Sequence, residues 1–170
     1  MRKRIVIALV AALAIGLVGV GMGVGSADVS TPTITIRGEF HFEPNQYIES
    51  TQRFVPGIIF VKSGGHLTVR NRDGVREPHT FSIVRQGDVP KTFGEAFGKC
   101  FVGACGKILA RHGAEGPKTD NGTPGLDGFG DSIILLPGRS VEYTVTAPPG
   151  TALYFLCAFH PWMQGRINIG

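Results

Sequence analysis

Apolar and polar residues alternate through Thr33-Ile34-Thr35-Ile36-Arg37 and again through Phe40-His41-Phe42, the two-residue period of strands with one buried face. Phe54-Val55 and Ile58-Ile59-Phe60-Val61 form a β-rich run interrupted by Pro56-Gly57. After a Ser63-Gly64-Gly65 turn, His66-Leu67-Thr68-Val69-Arg70-Asn71 alternates once more. Arg72-Asp73-Gly74 reads as a turn, and His79 to Val84 as a strand with Phe81 and Ile83 on one face. Strand signals return at Ser132-Ile133-Ile134-Leu135-Leu136, at Val141, Tyr143 and Val145, from Leu153 to Cys157, and from Arg166 to Ile169. Turn residues such as Pro137-Gly138 and Pro148-Pro149-Gly150 stop these runs. The pattern predicts seven or eight short strands, hence an all-β antiparallel sandwich.

One stretch breaks the pattern. From about Arg85 to Asp131 the chain is rich in Gly, Lys and Asp and shows no sustained period. It reads as a long irregular insertion (85–131), with one short helical turn over Lys91–Phe97. A loop of that length inside a compact domain is usually functional or mobile.

The first 27 residues have a different character. Met1-Arg2-Lys3-Arg4 is followed by an uncharged apolar run from Ile5 to about Val24, and then by the small residues Gly25-Ser26-Ala27. This is the layout of a secretory signal cleaved after Ala27. The run is long enough to cross a bilayer, so an uncleaved membrane tether through residues 5–24 is the alternative. Both place residues 28–170 outside the cytoplasm, in a periplasmic or extracellular setting, as one domain.

Charge then changes the picture less than the totals suggest. The chain carries 17 Lys and Arg against 13 Asp and Glu, and three of the basic residues, Arg2, Lys3 and Arg4, lie in the leader. The remainder is nearly neutral, which argues against nucleic acid as a partner. No phosphate-binding glycine loop, Gly-x-Ser-x-Gly or His-Glu-x-x-His motif is present, so no catalytic residue is assigned and the chain does not read as an enzyme.

The chemistry is concentrated in the last strand-to-strand loop. Cys157, His160 and Met163 follow one another at intervals of three, and Met163 is the sole methionine beyond the leader. A thiolate, an imidazole and a thioether suit copper, and a trigonal His₂Cys site with a long axial methionine is the arrangement of electron-transfer copper centres. The set needs a second histidine. Among His41, His66, His79 and His112, His79 is favoured, because Pro78 stiffens its approach and Phe81 and Ile83 alternate inward with it. Gln164, beside Met163, offers an oxygen for the same axial place. Phe159, Pro161 and Trp162 would form an apolar collar around His160, either a docking patch or ordinary core packing. Cys100 and Cys105 in an exported chain read as a disulfide by default, with a second metal site that includes His112 as the lesser alternative.

These pieces together resemble the cupredoxins of the plastocyanin, amicyanin and pseudoazurin kind. The resemblance rests on Val69-Arg70-Asn71 followed by Pro78-His79-Thr80-Phe81, and on Leu153-Tyr154-Phe155-Leu156-Cys157 followed by His160, Met163 and Gly165. The loop from Cys157 to Met163 is most similar to that of amicyanin. The resemblance covers roughly Thr33–Val84 and Ile133–Ile169. It implies a Greek-key β-sandwich with one type 1 blue copper ion cycling between Cu(I) and Cu(II). His79, Cys157 and His160 would be equatorial ligands and Met163 the axial one. The implied function is one-electron transfer between redox partner proteins, docking through the patch around His160. A copper chaperone or store, and a copper enzyme with an open coordination position, are the alternatives. Two departures stand out: the long insertion, and Thr80 where such proteins often carry an asparagine that ties the ligand loops together.

Overall fold

The computed structural model describes residues 31–72 and 76–170. The leader at 1–27 and the Asp73-Gly74 part of the expected turn lie outside the described residues.

Alternation becomes burial in β1 (Thr33–Arg37), where Ile34 and Ile36 face inward and Thr33 and Arg37 face water. The same holds in β6 (His66–Asn71), with Leu67, Val69 and Asn71 buried. These two strands pair in parallel, flanked by β4 (Arg53–Val55) and β10 (Ser140–Thr144), to give a four-stranded sheet. The second sheet has six strands in the order β5 (Ile58–Val61), β12 (Gln164–Ile169), β11 (Ala152–Leu156), β7 (His79–Val84), β9 (Ser132–Leu135) and β8 (Lys118–Thr119). Strands adjacent in sequence often sit in opposite sheets, as Greek-key connections require. The inward faces share one core: Ile34, Leu67 and Tyr143 from one sheet meet Phe81, Phe155 and Ile167 from the other. Phe54 closes the middle, its ring edge-on to Phe155 at 5.1 Å and to Phe81 at 5.9 Å. The expected all-β sandwich is therefore what the chain forms.

β7 is buried along its whole length because both of its faces are covered. His79, Phe81 and Ile83 belong to the sandwich side, whereas Val84 packs into a second cluster with Cys100, Cys105, Ile108, Leu156 and Ala158. That second cluster is the underside of the insertion.

The insertion corrects the sequence reading. It contains an α-helix, α1 (Ala104–Glu115), that the sequence reading left as irregular, preceded by a π-helical turn over Glu95–Cys100 that overlaps the helical turn expected over Lys91–Phe97. Gly106 and Gly113 lower the helical propensity of this stretch and mask it. The helical stripe is nonetheless there in Cys105, Ile108 and His112, the buried residues of α1. A disulfide joins Cys100 to Cys105, so neither sulfur is a free thiolate and the alternative second metal site falls away.

The strand count is also higher than seven or eight: twelve strands occur among the described residues. The extra ones carry little alternation. They are β3 (Tyr47–Ser50), which pairs with the expected strand β2 (Phe40–Glu43) in a hairpin outside the two sheets, and β8, which is two residues long. No helix among the described residues is long and apolar enough to cross a membrane.

Candidate metal centre

His79 opens β7 and Cys157 follows β11 directly, and these two strands are neighbours in the six-stranded sheet. The intervening 77 residues thus end where they began. Beyond Cys157 the chain makes two tight reversals: the His160 N–H donates to the Cys157 carbonyl (3.2 Å) and the Met163 N–H to the His160 carbonyl (2.8 Å). The Cys157 N–H then donates to the Met163 carbonyl (2.9 Å), closing the loop on itself. Its exit depends on Gly165, where any side chain would run into the Phe155 ring and the Gly57 carbonyl.

This geometry brings three predicted donors together. Nδ1 of His79 lies 3.7 Å from Cys157 Sγ, Nδ1 of His160 lies 3.6 Å from it, and the two Nδ1 atoms are 3.1 Å apart. Donors that each sit about 2.0–2.3 Å from one ion must lie about 3–4 Å from each other, and all three edges have that size. Together they form a group that could hold a metal ion. Met163 is fully buried, in the same core cluster as Cys157. The Gln164 amide nitrogen donates to the Pro90 carbonyl (2.9 Å), in the direction of the insertion.

Electrostatics favour ligand-ready nitrogen. Burial, aided by the neighbouring His160, pushes His79 down to about 4, and burial lowers His160 against the opposing pull of Glu77. Both rings are then neutral near pH 7, with lone pairs to offer. Nε2 of His79 is buried and finds no hydrogen-bond partner among the described residues. Burial pushes the Cys157 thiol up, opposed by the Thr80 N–H, by backbone groups of His160 and Phe159, and by the Thr80 hydroxyl. Such a thiol stays protonated until a cation replaces the proton, which is how metal binding couples to proton release.

The remaining histidines lie elsewhere. His41 is on the outer hairpin 3.2 Å from Glu39, His66 is exposed 3.5 Å from Glu142, and His112 is buried beneath the insertion.

Thr80 ties the two loops together. Its hydroxyl accepts the Ala158 N–H (2.7 Å) and its own N–H donates to Cys157 Sγ (3.3 Å), so one residue joins both ligand loops.

Three residues escaped the sequence reading. Glu77 Oε2 lies 3.4 Å from His160 Nε2, Gln52 donates to that carboxylate, and Ser50 Oγ donates to Gln52 Oε1 (3.1 Å). The Trp162 indole N–H donates to Ser50 Oγ (3.1 Å), closing a polar ring around the outer edge of His160. Only the Pro78 stiffening hinted that residues before His79 matter.

Of the two readings of the collar, core packing fits the burial. Phe159 and Trp162 are half-buried against the core, and Pro161 is buried. The hairpin and the insertion expose apolar side chains of their own, among them Phe42, Ile48, Phe93 and Phe97. Trp162 links the two regions, T-shaped to His160 at 5.2 Å and stacked on Phe97 at 5.6 Å.

No family model matches the chain, and no curated protein does. Solved structures do resemble it. A purple cupredoxin from Nitrosopumilus maritimus is 16% identical, with 82% of this chain and 99% of that one covered and a TM-score of 0.45. Auracyanin A, a blue copper protein from Chloroflexus aurantiacus, is 18% identical over 82% of this chain and 98% of its own, with a TM-score of 0.48. Amicyanin from Paracoccus versutus is 9% identical over 85% and 86%, with a TM-score of 0.44. These three solved structures are cupredoxins, the family that the motifs around His79 and Cys157 resemble.

Proposed function

We propose that the protein is an exported copper protein that carries single electrons, holding one ion through His79, Cys157 and His160 with Met163 as the weak axial donor. The observation that carries this reading is the triangle of two imidazole nitrogens and one sulfur, with edges of 3.1, 3.6 and 3.7 Å, built on adjacent strands. The donor types fit copper better than other ions: a single soft thiolate with two imidazoles and a thioether suits neither hard cations nor a structural zinc site.

When bound, the ion supplies a reversible one-electron couple between Cu(I) and Cu(II). The chain's own residues keep the cage unchanged between those states. His79 is held in a strand buried on both faces, Cys157 is anchored by the Met163 carbonyl and Thr80, and the two turns fix His160. With Met163 as a fourth donor such a site would leave no open position for a substrate, which favours a carrier over an enzyme.

The partner surface is the His160 end. Trp162 lines a groove of about 950 Å³ together with Phe40, Ile48, Pro90, Phe93 and Phe97. A mostly apolar surface of this kind suits the small, brief contacts of electron-transfer complexes. The Cys100–Cys105 disulfide is at home in an oxidising compartment, which agrees with export through the leader, either cleaved or retained as a tether.

Titration with copper tests the reading. Binding should saturate at one ion per chain and survive repeated reduction and reoxidation without loss of metal. Ready exchange of the metal with a chelator would favour a chaperone or store, and binding of small molecules to the loaded site would favour an enzyme.

A further inference from the structure

The hairpin of β2 and β3 is two-sided. Its register sets Phe40 opposite Ser50 and Phe42 opposite Ile48, while His41 stands opposite Glu49 and Glu43 opposite Tyr47. Directly paired residues share a face. Phe40, Phe42, Ile48 and Ser50 therefore form one side, and His41, Glu43, Tyr47 and Glu49 the other. The apolar side borders the groove of about 950 Å³, which Phe40 and Ile48 line together with Phe93, Phe97 and Trp162. The insertion supplies the facing wall as an aromatic ridge. Phe93, Phe97 and Phe101 follow one another along it, with ring centroids 4.5 and 6.1 Å apart.

Neither wall is covered by the chain itself. Phe42 is 61% exposed and Ile48 69%, and on the ridge Phe93 is 77% exposed and Phe97 45%. A two-stranded hairpin is at best marginally stable in water by itself, and contiguous exposed apolar surface marks a contact site.

The charges around the groove point to its occupant. Between Phe40 and Ser50 the hairpin carries Glu43 and Glu49 and no Lys or Arg, whereas Lys91 and Lys99 bracket Phe93 and Phe97 on the ridge. Glu95, between those lysines, is turned back, its carboxylate accepting the Lys91 N–H (2.7 Å). Glu43, Glu49, Lys91 and Lys99 are all exposed, and none takes part in an ion pair among the described residues. The surface is thus apolar in the middle, with carboxylates beyond one wall and ammonium groups beyond the other. A two-fold axis exchanges the walls and lays each hairpin on the ridge of the other copy, so such a patch complements itself. An anionic membrane would attract the lysines and repel the glutamates of the same face.

We propose that this face pairs with a second copy of the chain, each hairpin seated against the Phe93–Phe97 ridge of the other. This rests on the reading of the groove as the partner surface and names a partner for it. Pairing encloses aromatic rings within a charged rim, the usual layout of a protein contact. It also brings the two His160 ends together, because Trp162 in the groove is T-shaped to His160 at 5.2 Å and stacked on Phe97 at 5.6 Å.

The test uses the metal-free exported protein and two charge-reversed variants, E43K/E49K and K91E/K99E. Sedimentation equilibrium gives the dimer Kd, and Trp162, the sole tryptophan, reports pairing by its fluorescence. Wild type should dimerise reversibly, with the emission moving to shorter wavelength as it does. Each variant alone should dimerise more weakly by about tenfold or more, because attraction at both ends of the contact becomes repulsion. An equimolar mixture of the two variants should regain the wild-type affinity, since every hairpin then meets a ridge of opposite charge.

A wild-type chain that stays monomeric at every concentration would overturn the inference. So would variants that pair as tightly as wild type, or a mixture no tighter than its components. Monomers that bind vesicles of anionic phospholipid would assign the face to a membrane and overturn it as well. One equivalent of Cu(II) separates this inference from the copper reading: a monomer with the intense visible band sinks the pairing alone, and a colourless dimer sinks the copper site alone.

Discussion

The Glu77 carboxylate lies 3.4 Å from Nε2 of His160, on the side of the ring opposite the nitrogen that faces the cage. A carboxylate placed behind a metal-binding imidazole fixes its ring orientation and raises its basicity. Here that carboxylate is itself held by Gln52, which is buried, and through Ser50 by Trp162. The outer edge of His160 is therefore part of a built network and not a bare ring in a dry patch.

Replacing Glu77 by Gln should consequently raise the reduction potential of the copper-loaded protein. The negative charge stabilises Cu(II) more than Cu(I), and its loss shifts the balance toward Cu(I). A tenfold change in that preference corresponds to about 59 mV for a one-electron couple, which is the upper end of the expected shift. Protein-film voltammetry at fixed pH and salt measures it; a potential equal to or below that of wild type contradicts the assigned role.

Acid should weaken the metal-free fold. His79 is pushed down to about 4 in the folded protein by burial and by His160, while an unfolded histidine titrates near its ordinary value of 6.5. Between those two values the unfolded chain binds more protons, so stability is present above about 6.5 and is lost as pH falls toward 4. A depression of that size corresponds to at most about 3 kcal/mol. Urea unfolding of the metal-free protein at several pH values checks the slope, and H79F should flatten it.

Sequence pattern carried most of this structure, and its failures have identifiable causes. The sandwich strands were legible because Ile34 and Ile36, or Leu67 and Val69, bury one face while their neighbours meet water. The outer hairpin was only half legible, since Tyr47-Ile48-Glu49-Ser50 does not alternate and is exposed on both faces. Helix α1 was hidden by its glycines, and its buried stripe depends on Cys105 and His112, neither of which scores as an ordinary apolar residue. At the site, three donors stand in motifs short enough to be read directly. Glu77, Gln52 and Ser50 reach His160 only through tertiary contact, across 83, 108 and 110 residues of chain, so no local spacing announces them.

Reduction of the Cys100–Cys105 disulfide should loosen the insertion while leaving the sandwich folded. The bridge closes a short loop ahead of α1, and in the chain-entropy picture such a closure contributes about 2 kcal/mol. Hydrogen exchange after mild reduction should rise in α1 and stay low in β7 and β11. Cooperative loss of protection in all three elements would show instead that the insertion holds the sandwich together.

Trimming the apolar groove should slow electron exchange without altering the metal site. Phe93 and Phe97 are exposed, and Phe97 stacks on the Trp162 ring that borders His160. A double F93S/F97S variant should keep the wild-type absorption spectrum and show a self-exchange rate, read from NMR line widths of mixed oxidised and reduced protein, several-fold lower. An unchanged rate would remove the groove from the docking surface.

The most direct measurement is the absorption and electron paramagnetic resonance spectrum of the protein after addition of one equivalent of Cu(II), beside that of C157S. Two imidazoles and a thiolate enclosing the ion predict an intense visible charge-transfer band with narrow copper hyperfine splitting, bleached reversibly by a mild reductant and absent from C157S. A colourless copper complex, or a band that C157S retains, would contradict the account.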